Sequence, residues 1–129
     1  MYLYLLLKKF EPNKKIIKWA KSKKANILIT RDPKKAAQGA DAIMTDKWIS
    51  MNDNVNKKKN EKLLKPYQVN KKIMKLAKSE AIFMHCLPAS RQKEVTNEVM
   101  DGKQSAVWLE ALNRMHVQKS IIQWCLKSL

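Results

Sequence analysis

Ala81-Ile82-Phe83-Met84-His85-Cys86-Leu87-Pro88-Ala89 is the stretch on which the reading of this chain turns. Its first four residues form an apolar run bounded by Ser79 and Pro88, which predicts a short buried strand. Pro88 then forces the chain out of regular structure. His85 and Cys86 therefore fall at the carboxyl end of a strand, where α/β proteins gather ligands and chemistry. An imidazole and a thiol side by side are candidate chemistry. Two small buried side chains at a strand end are the plainer alternative, and so short a motif does not separate them.

Outward from this stretch, strand and helix signals alternate. Tyr2 to Leu7 reads as a strand, and Pro12 opens a helical stretch with Ile16, Ile17 and Ala20 on one stripe. Ile27-Leu28-Ile29 is a short β-branched strand. Asp32 before Pro33 is a helix N-cap, and Gly39 closes that helix. Ala42 to Thr45 makes the next strand and delivers Asp46 at its carboxyl end. Asn52 to Asn60 is polar and aperiodic, hence a loop, and Asn70 caps a helix through Ala77. After the central strand come a short helix near Val95 to Met100 and a strand Ala106 to Leu109. The last helix carries Ala111, Met115, Ile122, Cys125 and Leu129 on one inward face. Such alternation with short connections predicts an α/β fold, a parallel sheet with helices on both faces and right-handed crossovers. Asp46 and His85-Cys86 then project from one edge of one sheet. Asn113-Arg114, at the start of the helix after the last strand, falls on the same side.

Length and composition limit the alternatives. At 129 residues and 15.0 kDa the chain is one domain with room for a core. No apolar run approaches the ~18 residues that cross a bilayer, and Met1 to Leu7 lacks the flanks of a secretory signal. Cys86 and Cys125 are too few for a disulfide framework, so a cytoplasmic location is expected. The net charge of +16 invites a nucleic-acid reading. Yet of the 27 basic residues only Arg31, Arg91 and Arg114 carry the guanidinium fork that base and phosphate recognition favour. The lysines are spread over the whole chain, as solvated faces are, and no nucleic-acid motif is present. His85, Cys86, His116 and Asp46 lack zinc-site spacing, so neither metal nor cofactor is expected.

His85-Cys86-Leu87-Pro88 resembles the signature of the ornithine carbamoyltransferases. Two further segments match that family in order and spacing. Gly39 to Met51 looks like its ornithine-contacting stretch, in which an Asp (here Asp46) lies four residues before a Ser-Met pair (Ser50-Met51). Asn113-Arg114-Met115-His116 looks like its Asn-Arg element at the start of the last helix. Lys65 to Asn70 also fits, and the resemblance runs from about Glu11 to Leu126, with Met1 to Phe10 matching poorly.

The resemblance implies an enzyme that joins carbamoyl phosphate and L-ornithine into citrulline and phosphate, in arginine metabolism. Carbamoyl transfer needs an unprotonated amine beside a carbonyl whose oxygen gains negative charge. Carried onto matching positions, His85 donates to that oxygen and Arg114 adds a fixed positive charge. The Leu87 carbonyl accepts from the carbamoyl NH2. Cys86 and Asp46 sit beside the δ-amine, orienting it or accepting its proton, and Ser50 and Met51 meet the α-amino and α-carboxylate end. The complete enzymes of the family are expected as homotrimers of two-domain chains. Residues 1–129 correspond to the L-ornithine-binding domain, truncated at its start. The carbamoyl-phosphate-binding domain, with its Ser-x-Arg-Thr grip, is absent from them.

Two departures stand out. Asn52 follows Ser50-Met51 where the family has Gly, and Asn is the next most tolerant of positive φ. Leu112 replaces a Glu beside Asn113-Arg114. The alternatives are a carbamoyltransferase for another amine such as putrescine, and a non-catalytic amino-acid-binding remnant. The Ser50-Met51 pair favours ornithine, because a diamine has no α-carboxylate to hold.

Overall fold

The computed structural model describes residues 2–5, 11–48 and 57–127. Strand β1 (Tyr2–Leu5) is followed by helix α1 (Lys14–Ser22) and by β2 (Ile27–Thr30), which pairs parallel with β1. Helix α2 (Pro33–Ala37) leads to β3 (Ala42–Thr45), and β3 pairs parallel with β4 (Ile82–His85). Between β3 and β4 come α3 (Lys57–Leu64), a 3₁₀ turn over Lys65–Tyr67 and the single-turn α4 (Lys71–Met74). The short α5 (Asn97–Met100) and the long α6 (Val107–Lys127) complete an α/β chain with parallel strands.

Local chemistry sets the helix starts. Asn13 accepts from Lys15 N at 2.9 Å, and Asp32 accepts from Lys34 N at 2.9 Å with Pro33 in the first helical position. Asn70 accepts from both Lys72 N and Ile73 N. Gly39 turns the chain from α2 into β3 at φ +67°, a conformation that glycine adopts without steric cost.

The β3–β4 ladder carries the core. Phe83 and Val107 are 0% exposed and pack with Val69, Met74, Val95, Val99 and Met100, while Ile43, Ile73, Leu87 and Ala89 close around them. Side chains alternate along β4: Phe83 and His85 point inward, and Ile82 points out. The register sets Thr45 opposite His85, which brings Asp46 and Cys86 out of neighbouring strand ends.

Several expectations are corrected. In place of one sheet, the described residues form two separate two-stranded ladders. β2 runs straight into the Asp32-capped helix and shares no ladder with β3, whose partner is β4. The strand expected at Ala106 to Leu109 is a helix from Val107. Phe83 N donates to Gln104 O and Phe83 O accepts from Ala106 N, and Glu110 N then donates to Ala106 O at 2.8 Å. The β-forming composition there reflects the burial of Val107, not strand pairing. Asn113-Arg114 accordingly lies well inside α6 and not at its start.

The loop expected over Asn52 to Asn60 is helical from Lys57, its earlier residues lying outside the described ones. The inward position there is held by Asn60, 4% exposed, so hydrophobic periodicity does not register it. The Asn70-capped helix stops at Met74 and does not reach Ala77. Cys125, expected in the core, is exposed, as is α6 from Ala111 to Lys127, because no described element covers that length of helix. Among the described residues no helix is long and apolar enough to cross a membrane.

Candidate functional site

The site is built where β3 and β4 end together. Cys86 Sγ donates to Asp46 Oδ1 at 2.9 Å, and the same oxygen accepts from Lys47 N at 2.6 Å. Two donors on one carboxylate favour its ionised form: the Cys86 thiol, then the Lys47 amide, hold Asp46 below the usual carboxylate range. The contact works oppositely on the thiol. Its hydrogen bond to Asp46, then its partial burial, push Cys86 above the ordinary thiol value. The pair is therefore a protonated thiol on a carboxylate, not a thiolate.

Past β4 the chain folds tightly onto His85. The His85 side chain is fully buried, and its Nδ1 accepts from Leu87 N at 2.9 Å. Leu87 adopts φ +49°, a left-handed conformation unusual for a residue other than glycine. The His85 backbone N–H donates to Glu110 Oε2 of α6 at 3.0 Å, tying strand to helix. His85 Nε2 lies 3.5 Å from Glu94 Oε1, too long for a hydrogen bond, and Ser90 N donates to that same oxygen.

This turn and α6 enclose a cleft of about 280 Å³, lined among others by Cys86, Leu87, Glu110, Arg114 and Gln118. It joins a thiol, a carboxylate and a guanidinium, a set suited to a small ligand with both cationic and anionic groups. A hollow of about 310 Å³ beside α1 shares no residue with it and is lined by Ile17, Ile29, Pro12 and lysine stems. Among the described residues no three His, Cys, Asp or Glu side chains group as a metal site.

Of the residues singled out from sequence, His85, Cys86, Leu87 and Arg114 line the cleft, and Asp46 joins through Cys86. Ser50 and Met51 lie outside the described residues. In His85 the Nδ1 is taken by Leu87 N, while Nε2 is buried without a hydrogen-bond partner, 3.5 Å from Glu94 Oε1. Sequence reasoning assigned no role to Glu94 or Glu110. Glu110 stands in the Glu-Ala-x-Asn-Arg run, so its signal was present. Glu94 has no local signal, and only its 1% exposure singles it out.

A family model described as the Asp/Orn binding domain of aspartate/ornithine carbamoyltransferase matches residues 3–125, and so includes β1 as well. An ornithine carbamoyltransferase of Nitrobacter winogradskyi is 54% identical over 115 residues, covering 89% of this chain and 37% of that protein. One from Brucella abortus is 50% identical over 117 residues. Among solved structures, ornithine carbamoyltransferase from Pyrococcus furiosus aligns with a TM-score of 0.84 at 40% identity, over 93% of this chain and 40% of that one. The anabolic enzyme from Campylobacter jejuni aligns at 0.87 with 28% identity, over 98% of this chain and 43% of that one. The chain thus spans about 37% of the length of the curated relatives it matches.

Proposed function

Because the chain belongs to the aspartate/ornithine carbamoyltransferase family, in its Asp/Orn binding domain, we propose that it is the L-ornithine-binding half of an ornithine carbamoyltransferase. The observation that carries this reading is the Cys86–Asp46 contact of 2.9 Å beside a cleft shared by Leu87 and Arg114. In the reaction, the ornithine δ-nitrogen bonds to the carbamoyl carbon, the carbon–oxygen bond to phosphate breaks, and the amine loses a proton. Asp46, held ionised by Cys86, orients the δ-amine. Its lowered proton affinity makes it a poor proton store, so the departing phosphate takes the proton. Arg114 supplies fixed positive charge toward the developing oxyanion. The Leu87 carbonyl accepts from the carbamoyl NH2, and Ser50 and Met51 meet the α-amino and α-carboxylate groups. His85 acts by shaping the turn that presents Cys86 and Leu87.

On this reading carbamoyl phosphate is bound by a second domain. The working assembly is a cytoplasmic homotrimer. A colorimetric citrulline assay tests the proposal. The chain alone forms no citrulline, and adding a matching carbamoyl-phosphate-binding domain restores it. Robust turnover by the chain alone overturns the division of labour. Within the restored enzyme, Cys86→Ser raises the KM for ornithine more than that for carbamoyl phosphate, and equal effects on both remove Cys86 from the δ-amine site.

A further inference from the structure

We propose that Glu94 is the positioning residue of the site, holding His85 in the Nε2–H tautomer and through it the backbone of Leu87; the catalytic meaning of this device rests on the ornithine reading above. A backbone N–H can only donate, so the 2.9 Å contact from Leu87 N requires a lone pair on His85 Nδ1. An imidazolium has none, and the Nδ1–H tautomer would set two donors against each other. The ring is therefore neutral with its proton on Nε2. That nitrogen has no hydrogen-bond partner and faces Glu94 Oε1 at 3.5 Å. A carboxylate only accepts, so its charge favours the tautomer whose N–H points toward it.

The same Glu94 oxygen accepts from Ser90 N. One buried carboxylate thus governs both ends of the turn 85–90, at the His85 ring and at the Ser90 amide. Between these ends lie Cys86 and Leu87. Leu87 sits at φ +49°, which a residue with a Cβ leaves readily unless its surroundings hold it. Its bond to Nδ1 does so here. Loss of that bond frees the Cys86–Leu87 peptide and the φ of Leu87, and so displaces two residues that line the cleft. Glu94 needs no contact with substrate to act.

The test reads the tautomer directly. In chain carrying His116→Gln, so that His85 is the remaining histidine, 15N-histidine spectra of the sedimented protein at neutral pH show an unprotonated Nδ1 and a protonated Nε2. Glu94→Gln keeps an oxygen on Ser90 N but removes the charge that faces Nε2, and the proton moves toward Nδ1. The affinity for L-ornithine, measured by calorimetry on the same chain, falls about tenfold, as loss of one held contact implies. Glu94→Asp keeps the charge, the Nε2–H tautomer and most of the affinity. A wild-type ring protonated on Nδ1 overturns the proposal even if Glu94→Gln fails to fold. So does a Glu94→Gln protein that keeps the Nε2–H ring. An Nε2–H ring that follows Glu94 in a chain that does not bind ornithine supports the tautomer lock and counts against the ornithine reading alone.

Discussion

Cys86 Sγ and Asp46 Oδ1 stand 2.9 Å apart although 40 positions separate them in the chain. The parallel register of β3 and β4, with Thr45 opposite His85, makes the contact. One hydrogen bond is the leading cause of both perturbations in the site, since it stabilises the carboxylate and the un-ionised thiol together. The thiol is thereby kept out of nucleophilic chemistry and available as a neutral, polarisable wall.

Alkylation of Cys86 tests this coupling. With Cys125→Ser removing the exposed thiol, iodoacetamide should react with Cys86 more slowly at pH 8 than with an unperturbed thiol, because the raised pKa lowers the thiolate fraction. Asp46→Asn removes the charge that raises it and should speed the reaction across pH 7–9. An unchanged rate would show that Asp46 does not control the thiol.

The Asp46–Cys86 bond also gives stability a pH dependence. The folded-state pKa of Asp46 lies below its unfolded value, so its contribution is present above the unfolded pKa and is lost as pH falls through the folded one. Urea midpoints measured from pH 6 down to pH 2 should fall less steeply in Asp46→Asn than in wild type. Parallel curves would remove Asp46 from the acid response.

Glu110→Ala should destabilise the fold by about 1–3 kcal/mol, because the His85 N–H loses its acceptor at a fully buried residue. Glu110→Gln keeps an amide oxygen in reach and should cost less than half of that. Urea unfolding followed by circular dichroism separates the two, and equal losses would point to the charge instead of the hydrogen bond.

Phe83→Ala should cost about 3–5 kcal/mol, since Phe83 is 0% exposed at the centre of a small core. A change of that size rivals the whole stability of a small domain. The expected result is loss of the cooperative thermal transition at 37 °C, whereas a transition within a few degrees of wild type would mean the core lies elsewhere.

Helix α6 should make the isolated chain self-associate despite its +16 charge. Leu112 is 49%, Val117 55%, Ile121 54% and Ile122 60% exposed, an apolar surface larger than a monomer normally leaves open. Sedimentation velocity at moderate salt should show species above 15.0 kDa, reduced by Ile121→Lys with Ile122→Glu. A single monomeric boundary in the wild type would contradict this.

Much of the scaffold was legible along the chain because its signals are local. Asp32-Pro33 and Asn70 announced helix starts, Ala42 to Thr45 announced β3, and Ala81 to Met84 announced β4 to within a residue. The misreadings share a cause. Asn60 holds an inward position with a polar side chain, and Val107 is buried by a helix after a single bridge to Phe83, so composition pointed to the wrong element at each. Cys125 followed the core stripe of a helix that no described element covers.

The strands β2, β3 and β4 with the capped helix starts between them, the strand ends that carry Asp46 and His85-Cys86, and the likeness to a carbamoyltransferase domain were determined by the sequence itself. Each depends on residues close together in the chain. Which atom faces which was decided only by the tertiary structure. The β3–β4 register set Cys86 on Asp46, and the turn after β4 laid Leu87 N on His85 Nδ1. That turn also set the imidazole Nε2 3.5 Å from Glu94 Oε1. Hydrogen bonds are short-ranged and directional, and the chain's path through space, not its spacing, brings such partners within reach.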